Sequence, residues 1–457
     1  MNIENYIEIY KNKTFESMNL NFKSKEIFPG GINHNIRFFK PYPFYTIKAK
    51  GKFLKDIDGN KYIDFWNGHW ALILGHSPKI VTKNLKKQIK RGILYGTANK
   101  ASVKLGELIN KAIPLAEKIR FSSTGSEATM YAIRLARAKT RKRVIAKAIG
   151  GWHGFNSNLL QSVNYPYEVD EGIGLVEDEG QFIESIQFND LDRSLKVLES
   201  IKDDLAGIII EPVLGGAGCI TPAEGYLEGL QEFARKNDSL LILDEIVTGF
   251  RLSFEASMNH FKVEPDIFTL GKIIGGGLPV GAVCGKKEIM NLADMTDKND
   301  KNTYCSIGGG TFSANPLTMT AGYDTLKYLK NNPTIYEKIN YLGDLARNEL
   351  SKLFKELKID TEITGIGSLF MVHFLNDKVR KINNALDVAL SNTEALFNYN
   401  MALIAKFNIF FLPMKMGAFS YAHEKEDVYK LIEATRQIFQ NNKIQDSQQK
   451  SGRKNSF

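Results

Sequence analysis

Short apolar runs alternating with helical stretches predict an α/β fold: a large doubly wound mixed or parallel sheet domain, joined to a smaller α+β domain. Three observations carry this expectation. Val144-Ile145-Ala146, Gly207-Ile208-Ile209-Ile210 and Leu240-Leu241-Ile242-Leu243 are uninterrupted apolar runs, each followed by polar or Gly/Pro residues, as strands buried on both faces are. Glu127 to Lys139 and Tyr226 to Lys236 read as helices beside them; the first places Met130, Ile133, Leu135 and Ala136 at helical spacing, and strands joined by helices make a parallel sheet. From about Pro333 the pattern changes to amphipathic stretches around short strand-like pieces.

Taken in order, residues 1–70 form an N-terminal segment that contributes to the smaller domain. Phe44 to Trp66 alternates in a strand-like way, and Asp58-Gly59-Asn60 supplies residues that tolerate a hairpin turn. Residues 71–325 form the large domain. Residues 326–441 form the small one: Ile335 to Leu357 and Ala385 to Ala405 are helical, Ser368 to His373 and Ile409 to Leu412 are strand-like, and Asp427 to Gln440 is a closing helix. Residues 442–457 are polar and lack periodicity, the mark of a disordered tail.

Composition narrows the functional classes. The 457 residues are 43% hydrophobic and 24% charged, an ordinary globular balance. No run of about 18 uncharged apolar residues is present, and Met1 to Lys11 lacks the basic start and apolar stretch of a signal peptide. The expectation is a soluble cytoplasmic protein without membrane partners. Cys219, Cys284 and Cys305 are widely spaced and form no CxxC pair, which fits buried thiols and no metal site. The net charge of +9 comes from lysines scattered along the chain and from the tail, so no nucleic-acid partner is expected.

Three pieces hold the chemistry, each at a strand end or helix start, where open α/β sheets bind ligands. Ser122-Ser123-Thr124-Gly125-Ser126-Glu127 precedes a helix. It suits a phosphate cradle, since helix N-termini offer free N–H groups; a plain capping box is the common alternative. It is not a Walker loop: Gly281 to Lys286 has the wrong spacing. Asp244 ends the run from Leu240; a carboxylate there requires a cation, which a protonated pyridine, a magnesium ion or a structural partner would each supply. Lys272 sits among apolar residues and glycines, Thr269-Leu270-Gly271-Lys272-Ile273-Ile274-Gly275-Gly276-Gly277. A desolvated lysine is a Schiff-base nucleophile; a snorkelling lysine is the bland alternative.

The ordered set Ser123-Thr124-Gly125-Ser126-Glu127-Ala128, Trp152-His153-Gly154, Glu211-Pro212, Asp244-Glu245-Ile246-Val247-Thr248-Gly249-Phe250-Arg251 and Leu270-Gly271-Lys272 resembles class III aminotransferases, pyridoxal-phosphate (PLP) enzymes of fold type I. The resemblance runs from about Phe28 to Ile438. Within the class it is closest to the glutamate semialdehyde aminomutase group, through Phe28-Pro29-Gly30-Gly31-Ile32-Asn33, Ile73-Leu74-Gly75-His76, Gly275-Gly276-Gly277-Leu278-Pro279-Val280-Gly281 and Gly310-Thr311-Phe312-Ser313-Ala314-Asn315-Pro316. The resemblance implies that Lys272 binds the cofactor covalently and shuttles the proton. It further implies that Asp244 holds the pyridine nitrogen, Ile246 and Trp152 cover the ring faces, and Gly125 and Ser126 bind the phosphate. His153 supports the ring and Glu211 lies at the substrate side. Thr311 would reach the phosphate of a neighbouring subunit's cofactor, implying a homodimer with shared active sites. Arg37 stands where the aminomutase group binds the substrate carboxylate.

The departures from that group cluster on the substrate side. His34-Asn35 replaces Ser-Pro, His69 aligns with a Trp, Lys415 aligns with a Glu, and Val163 to Gly180 lacks the Ser/Pro/Gly-rich gating sequence. His69 and Lys415 are therefore counted, with Arg37 and Glu211, as substrate-binding candidates. Cofactor residues kept while substrate residues change imply another substrate. The expected activity is ping-pong transamination between an amino donor and a keto or aldehyde acceptor; intramolecular amino exchange of the aminomutase type is the alternative.

Overall fold

The computed structural model describes residues 3–169, 171–175, 180–296 and 302–452. Its centre is a seven-stranded sheet of order β4-β10-β9-β8-β7-β5-β6. The strands are β4 (Lys118–Ser122), β5 (Val144–Ala148), β6 (Ile183–Ile186), β7 (Leu205–Ile210), β8 (Leu240–Glu245), β9 (Ile267–Gly271) and β10 (Gly281–Gly285); β1 to β3 precede them and are described below. β5 to β9 run parallel, and β10 pairs antiparallel with both β9 and β4. The fold is mixed α/β, as expected. Alternate residues explain the unbroken apolar runs: Ile209, Ile242, Ile267 and Val283 pack in one core cluster with the helix Gly125–Thr140, while Ile208, Leu241, Leu243 and Phe268 pack in another. Both faces are covered, so both parities are apolar.

A second sheet joins the chain's two ends. β1 (Thr46–Lys50), β2 (Phe53–Asp56) and β3 (Lys61–Asp64) form an antiparallel meander, and β13 (Ile409–Phe410) adds in parallel through Ile409↔Ile63. The turn at Asp58-Gly59-Asn60 is present, with Gly59 at φ 91° and Asp56 accepting from the Asn60 amide. β11 (Thr361–Thr364), β12 (Leu369–Phe374) and β14 (Gly417–Ala418) make a third sheet. The N-terminal residues form helices Ile3–Lys13 and Phe15–Ile27, the first packed on Thr393–Phe407.

Two helical expectations shift. The stretch from Ala385 divides into Ala385–Leu390 and Thr393–Phe407, because Asn392 leaves the helix and caps the second one through the Ala395 amide. The closing helix is Lys425–Gly452, continuing into the segment expected to lack order; residues 453–457 lie outside the described residues. All three cysteines are buried and free. Among the described residues no helix is long and apolar enough to cross a membrane.

Candidate active site

β8 and β9 build the site's floor. Their parallel register pairs Asp244 with Thr269, and the Thr269 hydroxyl donates to Asp244 Oδ1 at 2.9 Å. The Ile246 amide donates to the same oxygen at 3.1 Å. His153 Nδ1 lies 2.7 Å from Asp244 Oδ2, and its Nε2 is buried without a partner. Asp244 follows Ile242 on the face covered by the helix Gly125–Thr140, so strand alternation alone aims it toward that helix's start.

Lys272 follows β9 directly, in a left-handed conformation at φ 46°. Burial lowers its amine pKa, against the opposing fields of Asp244 and Glu211, with Arg251 adding to the lowering. Its Nζ lies 6.0 Å from the centre of the Trp70 ring. Glu211 is buried; its Oε1 accepts from the Trp152 amide at 2.9 Å and its Oε2 from the Gly215 amide at 3.1 Å. Desolvation raises the Glu211 pKa. Its carboxylate thus shapes the loop carrying Trp152 while lying electrostatically near Lys272.

The helix start satisfies both readings of its sequence. Thr124 and Glu127 form a reciprocal capping box, Thr124 Oγ1 accepting from the Glu127 amide and Glu127 Oε2 from the Thr124 amide. The box leaves the amides of Gly125 and Ser126 without a protein acceptor among the described residues. The Ser126 hydroxyl accepts from the Phe155 amide and keeps its proton to donate. Gly154, at φ 88°, passes so close that a Cβ there would meet Ser126 Oγ at 2.3 Å. Ile246 covers Gly125: a Cβ on Gly125 would meet Ile246 Cδ1 at 3.1 Å. Two free amides and a hydroxyl at a positive helix end fit a phosphate. A carboxylate lying across the site and a lysine at its edge fit a pyridine nitrogen and an aldehyde. The donor set therefore suits pyridoxal phosphate.

The substrate-side candidates fall at different places. His69 stands beside this floor, one residue before Trp70, with its Nε2 buried and unpartnered. Burial, then His34, Arg37 and Lys272, lower its pKa to about 3. Arg37 is exposed and acts electrostatically on both histidines. Lys415 Nζ donates to the Gly216 carbonyl at 3.3 Å, on the loop beneath Trp152, and burial lowers its pKa. Thr311 is exposed beyond Gly310, in the loop before the helix Pro316–Asn331. Residues 170 and 176–179 of the expected gating segment lie outside the described residues.

Several participants carry little sequence signal of their own. Only the register of β8 and β9 brings Thr269 to Asp244. His34 stands out in the sequence only as a departure from Ser-Pro. Arg251 is fully buried and binds the carbonyls of Trp70 and Phe419 and the Ser368 hydroxyl; its apolar surroundings come from distant segments.

The class-III aminotransferase family model matches residues 39–397. The glutamate-1-semialdehyde 2,1-aminomutase of Sulfurisphaera tokodaii is 39% identical over 92% of this chain and 99% of its own length. That of Methanocaldococcus jannaschii is 37% identical over 92% and 98%. An omega-transaminase from Sphaerobacter thermophilus superposes with a TM-score of 0.87 at 28% identity, over 93% of this chain and 97% of that one. With the Lys272–Asp244 floor and the open helix start already in place, these likenesses settle the family: the chain belongs to the class-III aminotransferases and is a pyridoxal-phosphate-dependent enzyme of fold type I.

Proposed function

We propose that this chain transfers an amino group from a donor amine to a separate keto or aldehyde acceptor, in two half-reactions at Lys272. The observation that carries the reading is the buried Lys272 amine, depressed in pKa and flanked by Asp244 and Glu211. Bound pyridoxal phosphate supplies a reactive aldehyde and a protonated ring that accepts an electron pair. Lys272 would hold the cofactor through its neutral amine and, when free, would act as the base that moves the proton at the substrate carbon. Asp244, held by Thr269, the Ile246 amide and His153, keeps negative charge at the ring nitrogen. Gly125 and Ser126 would anchor the phosphate, and Trp152 and Ile246 would cover the ring. Arg37 receives an anionic end of the substrate, its planar fork matching a carboxylate. Lys415 supports the loop beneath Trp152 through Gly216.

Support for a separate acceptor comes from the substituted positions, His34, His69 and Lys415, all of them outside the cofactor's residues. The aminomutase reading is favoured by the names of relatives 35–39% identical. We further assign the working form as a homodimer, with Thr311 of each subunit reaching the other's phosphate. The test is to load the full chain with cofactor, fix it with borohydride and map the adduct. Attachment at Lys272, and conversion to the pyridoxamine form by amino donors with release of a keto product, are expected. Turnover of glutamate semialdehyde without an added acceptor, and no reaction with any donor, would replace transamination by the aminomutase reaction. No adduct at Lys272 would overturn both.

A further inference from the structure

One aromatic ring stands against the amine on which the proposed reaction turns. Lys272 Nζ lies over the indole of Trp70, 6.0 Å from the ring centre, the outer reach of a cation–π contact. The lysine hangs on a flexible four-carbon stem, whereas the ring is held. Trp70 is buried, and its Nε1 donates to the Met416 carbonyl at 2.9 Å. Its amide donates to the Trp66 carbonyl, and buried Arg251 donates to its own carbonyl. The Trp66 ring packs edge-on against it, with centroids 4.6 Å apart.

The backbone that carries the ring is built at a cost. Asn67, Gly68, His69 and Trp70 all have positive φ, at 47°, 58°, 61° and 64°, a conformation that non-glycine residues enter reluctantly. The surrounding structure imposes it. Asp64 accepts from the Trp66 and Asn67 amides, and Asn67 Nδ2 donates to the Ala418 carbonyl at 2.6 Å. Strain retained in this way accumulates at functional sites. Here it sets an indole beside Lys272.

An amine that serves as nucleophile and then as base must change charge, and a buried ammonium needs a partner. Asp244 and Glu211 attract it, while Arg251 opposes it. Both carboxylates are already engaged at each oxygen: Asp244 by Thr269, the Ile246 amide and His153, Glu211 by the Trp152 and Gly215 amides. His69, with its pKa lowered to about 3, is neutral. An aromatic face attracts an ammonium without offering a base to take its proton, so the amine stays free to use either state. Resting on the amino-transfer reading above, we propose that Trp70 is a positioning residue whose ring face holds the free ammonium of Lys272 inside the site. In that reading the proton leaves the substrate carbon for Nζ, the C–H electron pair passes into the bound ring, and Nζ later gives the proton up. Trp70 keeps the amine in place between those two transfers.

Trp70→Phe keeps an aromatic face and loses the Met416 hydrogen bond; Trp70→Leu removes the face. In the apoenzyme, indole emission followed against pH should change as Lys272 titrates, and the change should vanish in Lys272→Ala and in Trp70→Phe. Its absence from the unaltered chain, or its survival in either variant, overturns the inference. A second reading is the pH midpoint at which apoenzyme captures pyridoxal phosphate. The face attracts only the charged amine, so its loss lowers the midpoint, by about one unit in Trp70→Leu and by less in Trp70→Phe. A merely structural role would admit water to a loosened wall and raise the midpoint instead. With cofactor loaded, kcat of the donor half-reaction should fall by about tenfold in Trp70→Leu at unchanged KM, and Trp70→Phe should restore most of it. Equal losses in the two variants, or a change in KM alone, would remove Trp70 from this role. Should Trp70→Leu not fold, the emission titration and the Trp70→Phe midpoint decide. Absence of any Lys272 adduct would overturn the amino-transfer reading, and the emission titration would still decide on Trp70.

Discussion

In the proposed reaction Lys272 carries the nucleophile, and the balance of forces on it sets a pH dependence. Burial favours the neutral amine and outweighs the attraction of Asp244 and Glu211 for its charged form. A lowered pKa extends the neutral, attacking amine to lower pH than an ordinary lysine, whose value is about 10.4. The rate at which apoenzyme captures added pyridoxal phosphate should therefore rise with pH through a midpoint below that value. A midpoint at or above it would mean that the carboxylates dominate. Asp244 permits a separate prediction. Asp244→Asn preserves the side chain's size and a hydrogen-bonding amide but removes the charge that, on the proposed reading, would keep the ring nitrogen protonated. The donor half-reaction should slow by about 10²-fold or more, the magnitude of losing an electrostatic partner in a water-excluded site. Stopped-flow conversion to the pyridoxamine form measures it, and an unchanged rate would remove Asp244 from the mechanism.

At the scale of elements, the left-handed turn from Asn67 to Trp70 depends on Arg251, which brings its charge from the loop after β8. Arg251 finds no carboxylate among the described residues and spends its hydrogen bonds on Trp70, Ser368 and Phe419. Burial lowers its pKa to about 10. Arg251→Met should cost about 3 kcal/mol, the order of hydrogen bonds from a charged donor, and should lower the thermal midpoint and loosen His69 together. An unaltered midpoint would show that the turn holds itself. This element also marks where the sequence stops being readable. β5, β7 and β8 were legible because burial on both faces leaves an unbroken apolar signature, and Asp244 and Lys272 because they interrupt such apolar surroundings. The turn at 67–70 was not legible: His69 and Trp70 are poor markers of positive φ, and the partners that impose it lie about 180 and 350 residues away along the chain. The same holds for the break at Asn392, which a helical period running through it concealed.

The whole molecule leaves one part of its proposed chemistry facing outward. Thr311 lies on the surface beside Gly308, Gly309 and Gly310, and Phe312 next to it is 63% exposed. A hollow of about 600 Å³ opens alongside, lined by Ser102, Val103, Phe121, Met290, Gly309 and Ser313. Phe155, near the open helix start, is also an exposed aromatic. On the proposed homodimer, a second copy of this chain would cover these side chains and give Thr311 a phosphate to reach. In a two-fold dimer each copy presents the same patch, so one substitution acts twice in the interface. Phe312→Asp places two carboxylates into it. Sedimentation at micromolar concentration should show twice the chain mass for the unaltered protein and a shift toward the single-chain mass for the variant, with weaker retention of cofactor on dialysis. Thr311→Ala should weaken retention while leaving the dimer intact, because it removes a hydroxyl and no apolar surface. A variant pair in which mass and cofactor retention change independently of these residues would place the interface elsewhere and leave the phosphate to Gly125 and Ser126 alone.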